Sequence, residues 1–232
     1  MDTTSEIKEF ARTSGATLVG VADLAHFRDY PTFPPDLLLP FTCAVSIAVA
    51  LEDDVIDAID QLPTIEYADH YRAVNEKLNG IAGKVVNWIK ERGHKAHAVP
   101  ASAFADPDRL MGHISHKAVA RMAGIGWQGK SLLIVTEDFG PRVRLVTVLT
   151  DMPLTPDGPI KNRCGECANC TEACPVGAIK CVLPIGEYYA SRDEAIDFGA
   201  CNDRTISNNA IPGIGARVCG VCVRACPWGD KG

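Results

Sequence analysis

The sequence predicts an α+β protein: an α/β body over residues 1–152, followed by a small cysteine-rich module over residues 153–232. Three observations predict it. Before residue 150, stretches with apolar residues at helical spacing alternate with short runs of β-branched residues. From Met152 onward Pro, Gly and Cys dominate and the periodicity fades. Nine of the ten cysteines fall in that second part.

Taken in order, Thr3 and Glu6 form a capping-box pattern ahead of Ile7, Phe10 and Ala11, with Gly15 as a stop, which predicts a first helix. ATLVGVA (16–22) reads as a strand and residues 27–42 as a proline-rich loop. CAVSIAVAL (43–51) is a second strand, apolar on both faces and therefore central. A short helical turn around 53–61 precedes the longest helix, over 66–92, where Tyr67, Tyr71, Val74, Leu78, Ile81, Val85 and Trp88 share one face. Gly80 and Gly83 weaken that helix locally and suggest a close neighbour there. KAHAVP (95–100) predicts a third strand, and HISHKAVARMA (113–123) a third substantial helix stopped by Gly124. LLIVT (132–136) and RVRLVTVLT (142–150), separated by EDFGP, predict a β-hairpin, with Arg142 and Arg144 facing solvent or a partner.

Composition narrows the function classes. At 232 residues the chain can bury a core without covalent staples. The N-terminal MDTTSEIKEF has no targeting pattern. The longest apolar stretch, Leu37 to Leu51, is interrupted by Pro40 and too short to cross a bilayer. A cytoplasmic protein with no membrane partner is expected. In a reducing compartment the cysteines are metal ligands or thiols rather than disulfides. The net charge of −6, with no Lys/Arg run, disfavours a general nucleic-acid binder and leaves a tRNA partner only a local basic face.

The strongest signal is CGECANCTEACP, residues 164–175. Cys164, Cys167, Cys170 and Cys174 fit C-x2-C-x2-C-x3-C-P, the bacterial ferredoxin run for a [4Fe–4S] cluster, whose fourth cysteine ligates a second cluster. That rule requires a partner run downstream. Cys219, Cys222 and Cys226, followed by Pro227, supply it. Crossover then assigns Cys164, Cys167, Cys170 and Cys226 to one cluster and Cys174, Cys219 and Cys222 to the other. Cys201 is the chosen fourth ligand of the second cluster and Cys181 its competitor; the loser, with Cys43, would be an ordinary small core residue. Structural zinc, the alternative for the whole set, favours paired C-x2-C knuckles rather than a four-cysteine run closed by Cys-Pro.

AGIGWQGKSLLIV (123–135), GPRVRLVTVLTDMPL (140–154) and the two cysteine runs ending in CPWG resemble the epoxyqueuosine reductases and the core of the corrinoid-dependent reductive dehalogenases. GATLVGVADL near the N-terminus and YADHY at the start of the long helix are similar to the former. The resemblance implies a nitroreductase-like α/β body carrying a bacterial ferredoxin-like 2[4Fe–4S] module. It also implies a bound cobalamin or other corrinoid, and it favours Cys201 over Cys181. The sequence departs from these families too. The acidic proton donor expected after residues 95–100 is replaced by ASAFADPDRL, where Asp106 and Asp108 are the substitutes. The chain stops at Gly232, without the C-terminal helical-repeat domain of the longer members. GHISHK marks a short branch, and the D-x-H-x-x-G cobalamin signature is missing.

Candidate pocket residues are Tyr71, Ser115, His116, Lys117, Gly126, Trp127 and Lys130. His113 and His116, three apart at the start of one helix, could serve as anion contacts or proton donors. Gly124, Gly126 and Gly129 would let backbone approach a flat macrocycle, with Lys130 meeting a carboxylate, amide or phosphate. Tyr67, His70 and Tyr71 offer further protons; the bland reading makes both tyrosines the apolar face of their helix. Catalytic candidates are thus Asp106, Asp108, His116 and Tyr67.

The expected function is an iron–sulfur oxidoreductase that passes single low-potential electrons from an external ferredoxin- or flavodoxin-type donor, through two clusters, to a corrinoid or substrate pocket between the domains. No G-x-G-x-x-G occurs to bind a nicotinamide. The rival readings are epoxyqueuosine reduction on tRNA and a non-catalytic electron carrier that activates a partner protein.

Overall fold

The computed structural model describes residues 2–106, 110–183, 189 and 191–229. Two compact units emerge, and neither is one continuous stretch. The first comprises residues 1–49, 74–125 and 144–160; the second comprises 50–73, 126–143 and 161–232. Residues 50–73 and 126–143 therefore group with the cysteine segment, not with the rest of the chain before residue 152.

In the first unit, helix α1 (Thr3–Thr13) is capped by Asp2, whose carboxylate accepts from the Ser5 amide at 2.7 Å. The cap is one residue earlier than the capping-box pattern suggested, because the Asp2 carboxylate reaches the free amides of the first turn. Strand β1 (Leu18–Asp23) pairs antiparallel with β2 (Cys43–Ala50), Val21 opposite Val45 and Asp23 opposite Cys43. β3 (Ala96–Val99) pairs antiparallel with β6 (Val143–Thr150), Ala96 opposite Thr150. The sheet order is β1-β2-β6-β3, so β2 is interior, as its apolar residues on both faces require.

Helix α3 (Ile65–Lys90) matches the predicted span, and Val74, Leu78, Ile81, Val85 and Ile89 form its buried stripe. A side chain at Gly80 or Gly83 would meet nothing within 4 Å, so no close neighbour explains either glycine. Helix α4 (His116–Met122) is shorter than predicted. Ser115 caps it by accepting from the Ala118 amide, which leaves His113 in the preceding loop. Gly124 ends it, as expected, and the Ala123 carbonyl lies so close to Gly20 of β1 that no Cβ fits there.

The second unit holds α2 (Asp53–Asp57), the first turns of α3 and the two-stranded ribbon β4 (Trp127–Gln128) with β5 (Ile134–Val135). Among the described residues, four more helices follow: α5 (Asn169–Glu172), α6 (Arg192–Ala195), α7 (Phe198–Asn209) and α8 (Val221–Arg224). The predicted hairpin of 132–136 with 142–150 does not form. The chain does reverse there, since Thr136 and Gly140 exchange backbone hydrogen bonds. However, β5 pairs with β4, and the apolar β6 completes the buried four-stranded sheet.

Arg142 does not face solvent. It is 2% exposed and forks onto Asp53 (3.0 Å) and Asp57 (2.7 Å), while its carbonyl accepts from the Leu51 amide. A buried guanidinium needs such anionic partners, and two carboxylates one helical turn apart on α2 supply them. Arg144 donates to the Asn75 side chain at 3.1 Å instead of reaching into solvent.

Candidate iron–sulfur centre

Each cysteine run folds in the same local way. Cys170 lies within the single turn of α5, with Cys167 before it and Cys174 after it. Cys222 lies within the single turn of α8, flanked by Cys219 and Cys226. The two turns pack against each other. This contact is what an exchange of ligands between the runs requires. Cys201 comes from α7, which Asp197 caps by accepting from the Ala200 amide.

Cys164, Cys167, Cys170 and Cys226 line one small cavity, together with Lys130, Pro227 and Trp228. These are the four sulfurs that the crossover rule puts together, one of them from the distant run. Burial pushes the Cys226 thiol up to about 11, and Cys164, Cys170 and Cys167 add to the shift as like-charged neighbours. Burial raises Cys222 as well, with Cys219, Cys201, Cys170 and Cys174 as its electrostatic neighbours. Cys219, Cys201 and Cys174 thus lie near Cys222, while the Cys181 sulfur is 3.7 Å from Lys130 Nζ. Cys170, Cys174, Cys201 and Cys222 pack against an apolar cluster of Leu132, Ile179, Tyr189, Ala195 and Ile196.

None of the ten cysteines is in a disulfide. Among the described residues, no three His, Cys, Asp or Glu side chains converge on a single metal ion. Four sulfurs spaced around a cavity instead fit a cubane, which ties each cysteine to a different iron. The donor set thus fits [4Fe–4S] clusters better than mononuclear zinc.

The glycine-rich segment serves this centre. The Trp127 indole donates to Cys164 Sγ at 3.4 Å and meets Trp228 edge-on, ring centroids 4.8 Å apart. Lys130, 5% exposed, donates from Nζ to the Cys167 carbonyl at 2.9 Å and to Cys181 Sγ at 3.7 Å. A Cβ at Gly129 would meet Val135 at 2.7 Å and Cys164 Sγ at 3.5 Å, and one at Gly126 would strike the Val135 carbonyl. Both glycines are thus used against β5 and the cysteine loop. Further on, the 136–140 turn meets the CPWG end so closely that a Cβ on Gly140 or Gly229 would run into the other segment's backbone.

The remaining candidates lie elsewhere. His116 accepts from the Thr147 hydroxyl on Nδ1 (2.8 Å) and donates from Nε2 to the Pro100 carbonyl (3.1 Å), an assignment that follows because a carbonyl only accepts. Burial holds it neutral, its pKa lowered to about 4. The His113 ring bonds the Phe33 carbonyl at 2.7 Å. Ser115, besides its cap, meets the Tyr30 hydroxyl, whose pKa burial raises. Tyr67 is buried against Gly220, and His70 accepts the Glu52 amide at 3.1 Å. Tyr71 and Lys117 are half-buried. Asp106 exchanges backbone bonds with Met111, and Asp108 lies outside the described residues.

Sequence reasoning missed a cavity of about 430 Å³ in the first unit, lined by Asp23, Leu24, Arg28, Tyr30, Leu38 and Phe41 among others. It also missed that Lys130 serves the cysteines. The available signal was a lone lysine in an apolar, glycine-flanked segment, which must find an anionic or carbonyl partner once buried.

Residues 163–229 match the family described as 4Fe-4S double cluster binding domain. The chain is similar to the epoxyqueuosine reductase of Prochlorococcus marinus, 30% identical over 165 residues covering 70% of this chain and 48% of that protein. It is also similar to the epoxyqueuosine reductase of Bacillus subtilis, 37% identical over 118 residues covering 50% and 29%. The matched stretches thus span less than half the length of either relative. Among solved structures, a selenomethionine-labelled epoxyqueuosine reductase has a TM-score of 0.61 at 25% identity, over 98% of this chain and 65% of that one. A reductive dehalogenase, described as suggesting a mechanism for B12-dependent dehalogenation, has a TM-score of 0.73 at 18% identity, over 97% and 31%. The expected resemblance and the α+β fold with a double-cluster module are both borne out. Among the described residues, no helix is long and apolar enough to cross a membrane.

Proposed function

We infer that this relative of the epoxyqueuosine reductases is an iron–sulfur oxidoreductase, moving single low-potential electrons through two [4Fe–4S] clusters to an acceptor bound by its α/β body. One observation carries this reading: Cys226 of the second run lines the same cavity as Cys164, Cys167 and Cys170 of the first. In the proposal these four hold one cluster, and Cys174, Cys201, Cys219 and Cys222 hold the other. When bound, such clusters supply one-electron chemistry at low potential. The chain's part is to hold the sulfurs, to exclude water with the apolar residues around Leu132 and Ile196, and to neutralise charge with Lys130. Electrons are supplied by an external carrier of ferredoxin or flavodoxin type. A cytoplasmic setting belongs to the proposal, because ten cysteines outside disulfides suit a reducing compartment.

A corrinoid is our finer choice of acceptor. Its support is the fold shared with the B12-dependent dehalogenase. None of the seven expected pocket residues lines the 430 Å³ cavity of the first unit, whose size suits a ligand much smaller than a corrinoid. No step is therefore routed through it. The test is anaerobic: cob(II)alamin and a low-potential reductant are added to iron-replete protein. Protein-dependent loss of the cob(II)alamin absorption is expected, and no binding at tens of micromolar removes the corrinoid while leaving the cluster reading intact.

Epoxyqueuosine reduction on tRNA is the second reading. It is favoured by the names of the sequence relatives and by a structural neighbour solved with an epoxyqueuosine-modified tRNA stem loop. The net charge of −6 counts against it. Rescue of queuosine in a deletion strain would favour this reading, and failure to rescue with clusters intact would dismiss it.

A further inference from the structure

The iron–sulfur centre uses neither the proline-rich stretch 27–42 nor the GHISHK segment, and the first unit joins the two. Residues 24–42 form a surface loop closed at its neck, where the Leu24 amide donates to the Thr42 carbonyl at 3.0 Å. On its far side the loop is clamped to residues 113–115. The Phe33 amide donates to the His113 carbonyl at 2.9 Å, and the His113 ring donates from Nδ1 back to the Phe33 carbonyl at 2.7 Å. The Tyr30 hydroxyl meets Ser115 beside them.

Loops closed in this way normally fill their interior with their own side chains. This one does not. It surrounds the cavity of about 430 Å³, which is lined, among the described residues, only by positions between Asp23 and Thr42. Phe27 on its wall is buried, yet Leu39 on the same wall is 85% exposed. Pro31, Pro34, Pro35 and Pro40 fix their own φ angles and, with the clamp, keep the loop from collapsing inward. The volume falls within the range for small organic ligands, about 300–1,000 Å³.

The charges on the wall narrow the ligand class. Arg28 lines the cavity, and its guanidinium has no ion pair or hydrogen-bonded partner among the described residues. A guanidinium presents a planar fork of donors that matches a carboxylate. Asp23 lines the cavity too, its Oδ1 engaged by the Ala25 amide at 2.8 Å. That negative charge tolerates a ligand with one anionic group on Arg28 and disfavours a phosphate ester, which carries about two charges.

We propose that this cavity is a binding site for a small apolar monocarboxylate, its carboxylate on Arg28 and its body against Leu24, Phe27, Leu38 and Phe41. Burying that body supplies the affinity, and the unpaired guanidinium supplies the choice of charge. The site does not depend on the cluster assignment.

The test is isothermal titration calorimetry on the full chain, purified without oxygen. Octanoate is the probe, with octanamide and octylamine as its neutral and cationic analogues. Octanoate is expected to bind one site per chain, more tightly than octanamide, and octylamine not at all. Arg28→Gln, at an exposed position, should weaken octanoate by about tenfold or more and leave octanamide unchanged, and Arg28→Lys should recover part of the loss. Leu38→Trp, which fills the cavity, should abolish binding of both. Leu39→Trp, at the exposed wall position, carries that arm if Leu38→Trp does not fold. Iron content should stay at the wild-type level in every variant. No saturable octanoate binding at millimolar concentration, equal affinity for octanoate and octanamide, a preference for octylamine, or binding that survives the tryptophan variants overturns this inference and leaves the cluster reading standing. Octanoate binding by a protein that lacks iron overturns the cluster reading alone.

Discussion

Cys226 and Cys164, sixty-two positions apart in the sequence, face the same small cavity, with Trp228 and Lys130 on its rim. The pairing is a consequence of α5 packing on α8, each a single turn at the centre of its own cysteine run. It makes the two runs one structure. In the proposed assignment, neither quartet of sulfurs is complete without a residue from the other run.

Removing one exchanged ligand should therefore disable one cluster selectively. Cys226→Ala is expected to lose about half of the iron and one paramagnetic component, while Cys181→Ala and Cys43→Ala retain both. Iron analysis of the three variants, purified without oxygen, checks this. Loss of a cluster in Cys181→Ala would reassign the eighth ligand from Cys201.

The turn at Thr136–Gly140 and the CPWG end should tolerate no side chain where they meet. Gly140 has φ +50° and its Cβ would enter the Trp228 carbonyl; Gly229 has φ +85° and its Cβ would enter Phe139. Either glycine changed to alanine is expected to destabilise the chain by about 2 kcal/mol or more. Gly83→Ala, in open space on α3, is the matching control and is expected to stabilise by about 0.5–1 kcal/mol. Anaerobic urea unfolding of the three variants measures the contrast.

His116 should make the fold acid-sensitive in a defined window. Buried between Thr147 and Pro100, it stays neutral in the folded chain down to about pH 4, whereas an unfolded histidine takes up its proton near pH 6.5. As pH falls through that window the unfolded state binds more protons, so stability falls with it. His116→Gln is expected to have a shallower loss of unfolding midpoint from pH 6.5 to 4 than the wild type. Parallel curves would contradict the buried, neutral assignment.

Legibility in the sequence followed the range of the forces involved. The cysteine runs, the central strand β2 and the long helix α3 were readable because spacing and apolar period are local properties. The fate of Arg142 was not, because its partners Asp53 and Asp57 sit some ninety residues earlier. The false hairpin of 132–136 with 142–150 arose for a related reason. A tight turn does form at Thr136–Gly140, but Trp127–Gln128 takes up one strand and the four-stranded sheet takes up the other. Lys130 was noticed as a charge in a glycine-rich loop, yet only the folded chain shows it donating to the Cys167 carbonyl.

The most direct measurement is the iron, sulfide and zinc content of anaerobically purified protein, read alongside the paramagnetic spectrum after reduction. The account predicts about eight irons and eight sulfides per chain, negligible zinc, and two interacting reduced [4Fe–4S] signals. Far fewer irons, or zinc in their place, would contradict it.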